Sequence, residues 1–372
     1  NLARHEQAAA DLARLEPLLP VDADSGFSGA VNKLFQSFSQ LTVTPNDLNA
    51  RQTTLDRAQD VANAFQSTAT SLAAVRGEAD EQLRTSVNKI NELAGRIAEL
   101  NKTLRSASTS SGDPGVEAEL HNLMEELSGQ VNFAALDQGD GTVAIFIGGN
   151  RLLAIGDRTY PIQAGFDAGD RTVLDNNGED ITRYLTGGKI AQHLDTYNRV
   201  VPELLASVDD LAANIAGDIN FTLQGGADMT GATPGAELFS FDTNAGAALS
   251  LKVNPLTPQQ LAIATAAQPG GNGNAVGLTQ LAQRRQASGY TYSESIGIVA
   301  GRLGRSVADA QSNAETQQKL VTQAKAQRQE ESGVNLDEEA AQMVQYQRAY
   351  EAAAQLFKTL NEMTQTVIDM AR

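Results

Sequence analysis

Cysteine is absent from the 372 residues. Disulfides, thiolate nucleophiles and Cys-ligated zinc are therefore excluded. The absence does not fix the compartment, because an exported protein that folds without an oxidant would also lack it. Tryptophan is absent too, and aromatic residues make up 5% of the chain, which argues against a deep aromatic ligand pocket. Basic residues are few: 28 Lys and Arg stand against 45 Asp and Glu, a net charge of −17. A phosphate backbone needs clustered Lys and Arg to release its counterions, so nucleic acid is not an expected partner. There is no run of about 18 apolar residues, so no helical membrane span is expected. No secretory h-region opens the chain. The first residue is Asn1 rather than Met, and a fragment is expected. At roughly 100–200 residues per domain, the length corresponds to two or three domains.

What the sequence has in abundance is helical periodicity. Phe27, Val31, Leu34, Phe35, Phe38 and Leu41 form one stripe. Thr44-Pro45-Asn46-Asp47 reads as a helix start, with Thr44 as N-cap, Pro45 at the first helical position and Asp47 facing the positive end of the helix dipole. The helix that follows carries Leu48, Leu55, Val61, Phe65, Leu72 and Val75 and is expected to end near Gly77. A second is expected from about Glu78 to Arg105, with Leu83, Val87, Ile90, Ala94, Ile97 and Leu104 at spacings of 4 and 3 and Asn101 in the sixth slot. Ser106–Gly115 is loop by composition, and Val116–Leu127 is a short helix.

Near Gly129 the period changes from 3.6 to 2. Val131–Leu136 and Thr142–Ile147 read as a hairpin around Asp137–Gly141, and further short runs extend a small antiparallel β module over 131–184. Helix returns from Ile190 to Ile219, with Pro202 expected to kink it. Leu238–Phe241 and Ala248–Val253 look like strands. Thr291-x-x-Glu294 is a capping box that opens another long helix, and Asn335-x-x-Glu338 is a second N-cap pair. On the terminal helix Leu336, Met343, Tyr350 and Phe357 lie on one apolar seam. Leu356, Leu360, Met363, Val367 and Met370 lie on another, at strict 4-3-4-3 spacing. Two seams need partners on both sides, so burial between subunits or against a further segment is expected. The fold class is mainly α with a small antiparallel β module (α+β), arranged as a long helical bundle. The expected organisation is 1–130 (first part of the bundle), 131–184 (β module), 185–334 (second part, with strands near 238–253) and 335–372 (terminal coiled-coil helix).

Sites for chemistry are not found. Gly271-x-Gly273-x-x-x-Gly277 has the wrong last spacing for a dinucleotide loop. Asp175–Asp180 places its glycine in the wrong slot for a calcium loop and reads as a turn. His5, His121 and His193 are far apart, and no carboxylate pair stands at helical spacing to make an acid/base couple. Arg284-Arg285 reads as surface charge. No Gly-x-Ser-x-Gly elbow is present. No catalytic, cofactor or metal residue is assigned, which points toward an assembly protein.

Ser332-Gly333-Val334-Asn335-Leu336-Asp337-Glu338-Glu339-Ala340-Ala341, continuing through Tyr346-Gln347-Arg348-Ala349-Tyr350-Glu351-Ala352-Ala353-Ala354, resembles the C-terminal signature of bacterial flagellar axial proteins. The nearest resemblance is to the hook-associated FlgK family. Thr44-Pro45-Asn46-Asp47 with Arg51, Gly141–Gly149 with Leu152-Leu153, and Gly187-Gly188 with Asp218-Ile219-Asn220 are similar to that family's segments, so the resemblance spans nearly the whole chain. It implies a structural protein joining hook to filament, without catalysis or cofactor. The implied partners are other copies in a ring, the hook protein, the neighbouring hook-associated protein and a cytoplasmic export chaperone on the C-terminal helix. It implies export by the flagellar type III apparatus to the extracellular flagellum, and an isolated protein that is monomeric or weakly associated. It also implies an N-terminal stretch that would precede Asn1, and Leu336, Met343, Tyr350, Leu356, Phe357, Leu360, Met363, Val367 and Met370 as the assembly and chaperone interface. The family's usual features are degraded at Leu238-Phe239 and Asn272–Asn274. Flagellin or another axial protein is the alternative. A remote one is a secreted hydrolase on a helical stalk, which would need a His-Glu-x-x-His helix that the sequence lacks.

Overall fold

The computed structural model describes residues 1–19, 25–106, 114–332 and 336–370, with side chains except at 114, 329–332, 336–342, 362 and 365–370. The chain divides into two compact units, Asn1–Glu315 and Thr316–Arg372. In the first unit the helices are α1 (Leu2–Leu15), α2 (Gly26–Val43), α3 (Leu48–Ser106), α4 (Pro114–Gln130), α5 (Gly188–Asp195), α6 (Val201–Gln224), α7 (Ala247–Ser250), α8 (Gly273–Leu281) and the start of α9 (Tyr292–Ser332). The second unit holds the rest of α9 and α10 (Leu336–Met370).

α3 is a single helix of 59 residues, about 88 Å long at ~1.5 Å per residue. The expected end near Gly77 does not occur. Gly77 is exposed on the helix, and nothing lies within 4 Å of where its Cβ would be. One glycine costs a helix only about 1 kcal/mol relative to alanine. Against that, the buried stripe of Phe65, Ala69 and Leu72 resumes in phase at Ala79, Leu83 and Ile90, and burying each such side chain is worth roughly 1.5–3 kcal/mol. The start of α3 also differs from expectation. Thr44 closes α2, its N–H donating to the Gln40 carbonyl, and Asp47 caps α3 by accepting the Asn49 N–H at 2.8 Å. Thr44-Pro45-Asn46 is a turn between the two helices.

Two apolar cores lie along this one helix. Leu55–Leu72 of α3 pack with α1, α2, α6, α8, the first half of α9 and the segment around Leu238–Ile263. Phe27 and Phe65 meet there with ring centroids 5.0 Å apart. Leu83–Ile97 of α3 pack with α4, α5 and the strands. The strands are all antiparallel. One sheet has the order β1 (Phe133–Asp137), β2 (Val143–Ile147), β3 (Arg151–Ile155), β4 (Arg158–Thr159), and β5 (Gln163–Asp167) pairs with β6 (Asp170–Leu174).

Helix asparagines fasten this second core. Asn101 donates to the Val143 carbonyl at 2.8 Å and accepts the Val143 N–H at 3.0 Å. Asn91 holds Ile162 in the same way at 2.8 and 2.9 Å. Asn198 holds Arg171 at 2.9 and 2.8 Å. Each carboxamide supplies one donor and one acceptor, as a neighbouring strand would. The polar slot in the α3 stripe is therefore filled by a residue that satisfies strand backbone in the interior.

α5 passes into α6 through a π turn at Thr196–Val200. Pro202 lies just after it. Proline has no N–H for the Asn198 carbonyl and its ring crowds that group; the wider turn relieves both, so a bulge takes the place of the expected kink. The strands expected over 238–253 shrink to two-residue pieces, Phe239–Ser240 and Lys252–Val253. Between them α7 forms because Asp209 on α6 accepts the Ala248 N–H at 2.8 Å. This segment packs into the first core through Leu238, Phe239, Ala248 and Leu251, rather than with the larger sheet. The Thr291–Glu294 capping box is present, with bonds of 3.2 and 2.8 Å. The Asn335 cap and most of the Ser106–Gly115 loop lie outside the described residues.

Candidate assembly surface

Among the described residues no group of His, Cys, Asp and Glu is arranged to hold a metal. The glycine-rich stretch near Gly271 is a docked loop: Asn272 donates to the Thr42 carbonyl at 2.6 Å, and Asn46 donates to the Gly270 carbonyl at 3.1 Å. Asp175 closes its own turn by accepting the Asn177 and Glu179 N–H groups at 2.8 and 2.9 Å, and Arg151 pairs with both Asp175 and Glu179. Asp175 is thus committed to its own turn and Asp180 to Thr182, so the segment is a turn. Arg284 is an exposed residue, as the surface-charge reading has it, but it is not isolated: it pairs with Asp218 at 2.6 Å, and Asp218 also accepts the Tyr292 hydroxyl. Burial, then the bond to that carboxylate, pushes the Tyr292 phenol above its ordinary range. The ring stacks on Phe35 with centroids 6.1 Å apart, so this trio anchors the start of α9.

Arg51 is the largest fully buried side chain. Its guanidinium donates to the carbonyls of Pro45, Pro258 and Leu261 at 2.6, 3.1 and 2.6 Å. Burial lowers its pKa from the usual arginine value, and the fork of donors keeps the cation satisfied by dipoles. Its place in a motif carries no role that can be read from the sequence, because two of its three partners, Pro258 and Leu261, are more than two hundred positions away.

α10 is different in kind. Of the nineteen exposed large apolar side chains among the described residues, eight are on this helix. Scattered exposed apolar residues are ordinary; a concentration on one helix marks a contact surface. Met343 (73% exposed), Tyr350, Leu356, Phe357 (74%), Leu360 and Met363 are all open, and they are six of the nine interface residues expected from sequence. The side chains of Leu336, Val367 and Met370 lie outside the described residues. Val344 and Tyr346 are exposed as well and were not in the expected set. Tyr346 lies one helical turn before Tyr350 and widens the first seam, that of Met343, Tyr350 and Phe357.

Residues 12–239, more than half of the chain, match the family model described as the flagellar hook-associated protein FlgK helical domain. Residues 325–370 match that of the flagellar basal body rod FlgEFG protein C-terminal. Flagellar hook-associated protein 1 of Bacillus subtilis (strain 168) is 24% identical over 410 aligned positions, covering 98% of this chain and 80% of that protein. Flagellar hook-associated protein 1 of Escherichia coli (strain K12) is 26% identical over 340 positions, covering 82% of this chain and 56% of that protein. The chain thus spans about half the length of the second relative. Among solved structures, the flagellar hook junction protein FlgK from Burkholderia pseudomallei has a similar fold. The TM-score is 0.79 at 14% identity, over 88% of this chain and 98% of that one.

Proposed function

Because this chain belongs to the flagellar hook-associated protein FlgK family, we propose that it is a structural subunit of the junction between hook and filament and works through its interfaces rather than through chemistry. The observation that carries this reading is α10, a 35-residue helix with a concentration of open apolar side chains. In that setting α10 packs in a coiled-coil layer with other axial subunits. The partners are further copies in a ring, the hook protein and the neighbouring hook-associated protein. Before assembly the same stripe would be an aggregation hazard, and an amphipathic helix with open anchors fits a groove on an export chaperone. Leu336, Met343, Tyr350, Leu356, Phe357, Leu360, Met363, Val367 and Met370 are the residues assigned to both contacts. Export through the flagellar type III apparatus to the outside of the cell follows from the same reading.

The test is complementation of a strain lacking the gene, using the full gene product with Leu360→Ser and Met363→Ser. The expected result is loss of attached filaments with hooks intact. Normal filaments would overturn the assignment of α10 as the assembly surface.

A further inference from the structure

Beside the second core is an open cavity of about 330 Å³, lined by residues of α1, α3, α5 and the end of α4. Every side chain lining it is polar. Two are lysines, Lys89 and Lys189, and none is a carboxylate. That is unexpected in a chain with 45 acidic and 28 basic residues. His193 forms part of the wall. It is 3% exposed, and its Nδ1 has no hydrogen-bond partner. An orphaned buried polar atom costs free energy and is rare in folded proteins. Burial, with the Lys189 charge added, brings the imidazole pKa down to about 4, so the ring is neutral near pH 7.

The geometry around it is built. Lys189 lies one helical turn before His193 on α5, which places both on one face. Gly188 has φ +73°, and a Cβ there would come within 2.3 Å of the Gln130 carbonyl carbon. This contact seats the start of α5 directly on the end of α4; Lys189, the next residue, is exposed and lines the cavity with Gln130. Across the cavity Lys89 is held by Glu92 and Glu126 at 3.2 and 3.0 Å. Lys189 has no carboxylate partner among the described residues.

We propose that this cavity is a binding site for a single carboxylate group, held by the Lys189 ammonium and neutral donors around His193. The group has two sources of the same chemistry: a small free carboxylate, or an Asp or Glu side chain of a second copy of this chain. The second source rests on the assembly reading above; the first does not.

The experiment is a proton–nitrogen NMR titration of the histidine-labelled full chain with sodium acetate. A saturable shift of the His193 imidazole, with its pKa moving up as acetate binds, is expected. Lys189→Gln should weaken acetate binding about tenfold or more through loss of a charge-assisted contact, while Lys189→Arg keeps it. In a second arm no acetate is added and the protein is concentrated. The same His193 shift on concentration identifies the second copy as the source; a response to acetate alone identifies a free carboxylate. No saturable response in either arm, or equal affinity in Lys189→Gln, overturns the proposal. Either result is independent of the Leu360 and Met363 phenotype, which tests the assembly reading by itself.

Discussion

Arg171 on β6 reaches across to Asp80 on α3, with Nη2 donating to Oδ2 at 2.6 Å and Nε approaching Oδ1 at 2.5 Å. Nε lies off line for a hydrogen bond, so that contact is ionic. The side chains are 15% and 20% exposed. The same guanidinium lies over the Tyr197 ring at 5.6 Å and the Phe166 ring at 5.1 Å. Tyr197 also lies beneath Arg76 of α3 at 4.2 Å. The pair therefore ties the β5–β6 hairpin to α3 and to the π turn at the level where the two cores meet. Removing one partner leaves a largely buried charge that still touches solvent. Arg171→Ala should cost about 1–3 kcal/mol, less than for a fully enclosed pair. Urea melts of both single variants and the double variant give the coupling, and a coupling near zero would show that the ion pair does not matter.

Glycines 77 and 95 are exposed on α3, with open space at the Cβ position. Gly77→Ala and Gly95→Ala should each raise stability by about 0.5–1 kcal/mol. The sites are about 27 Å apart along the helix, so the gains should add. Thermal melting of the two single variants and the pair checks this. A destabilised variant would contradict the open space seen around the residue.

Arg51→Ala strands three carbonyls that now accept from one guanidinium, that of Leu261 buried and those of Pro45 and Pro258 partly buried. The expected loss is about 3–5 kcal/mol. Arg51→Lys keeps the charge but not the fork and should recover only part of it. Hydrogen exchange should localise the first opening to the 258–263 segment. Unchanged protection there would reject Arg51 as the anchor.

His193 and Asp11 make opposite contributions to pH dependence. The folded His193 pKa of about 4 lies below its ordinary 6.5, so the unfolded chain binds the proton first. Its stability contribution is present above about pH 6.5 and is lost as pH falls toward 4, up to about 3 kcal/mol. Asp11 is buried against Thr196, whose hydroxyl donates to it at 2.8 Å, and Gln7 donates to it at 2.7 Å. Burial raises its pKa despite these bonds. Its contribution is therefore present below the ordinary carboxylate value and lost as pH rises through the folded one. His193→Gln should flatten the acid limb of a stability–pH curve between 6.5 and 4. An unchanged slope would mean that His193 does not titrate as its burial requires.

Replacing Leu360 and Met363 with Ser should leave melting of the Asn1–Glu315 unit unchanged, because both side chains are open in the single chain. Ile97→Ser, inside the second core, should lower it by about 2–5 kcal/mol. Equal losses in the two variants would make α10 part of the folded unit.

The apolar stripes of α2, α3, α6 and α9 were legible because burial of one face imposes its period on the sequence. The hairpins of the second core were legible from alternation and glycine turns. At Gly77 and in the 238–253 run local preference is overridden by a contact from elsewhere, the in-phase stripe beyond Gly77 and the Asp209 carboxylate on α6. Thr44 instead loses the cap to a local competitor, Asp47, three residues on. Asn101 was visible as a polar residue in an apolar slot, but Val143, the strand residue it holds, could not be read from spacing. His193 was read as one isolated histidine, since its cavity is assembled by four helices.

The single α3 helix has a mechanical consequence. A rod that crosses both cores without a break is a beam, and an axial load entering one core is passed to the other through a continuous ladder of hydrogen bonds. The return path through α5 and α6 is interrupted by the π turn, whose looser ladder is the compliant side of the pair. Under bending, α3 is the stiff flange and Thr196–Val200 takes up the strain.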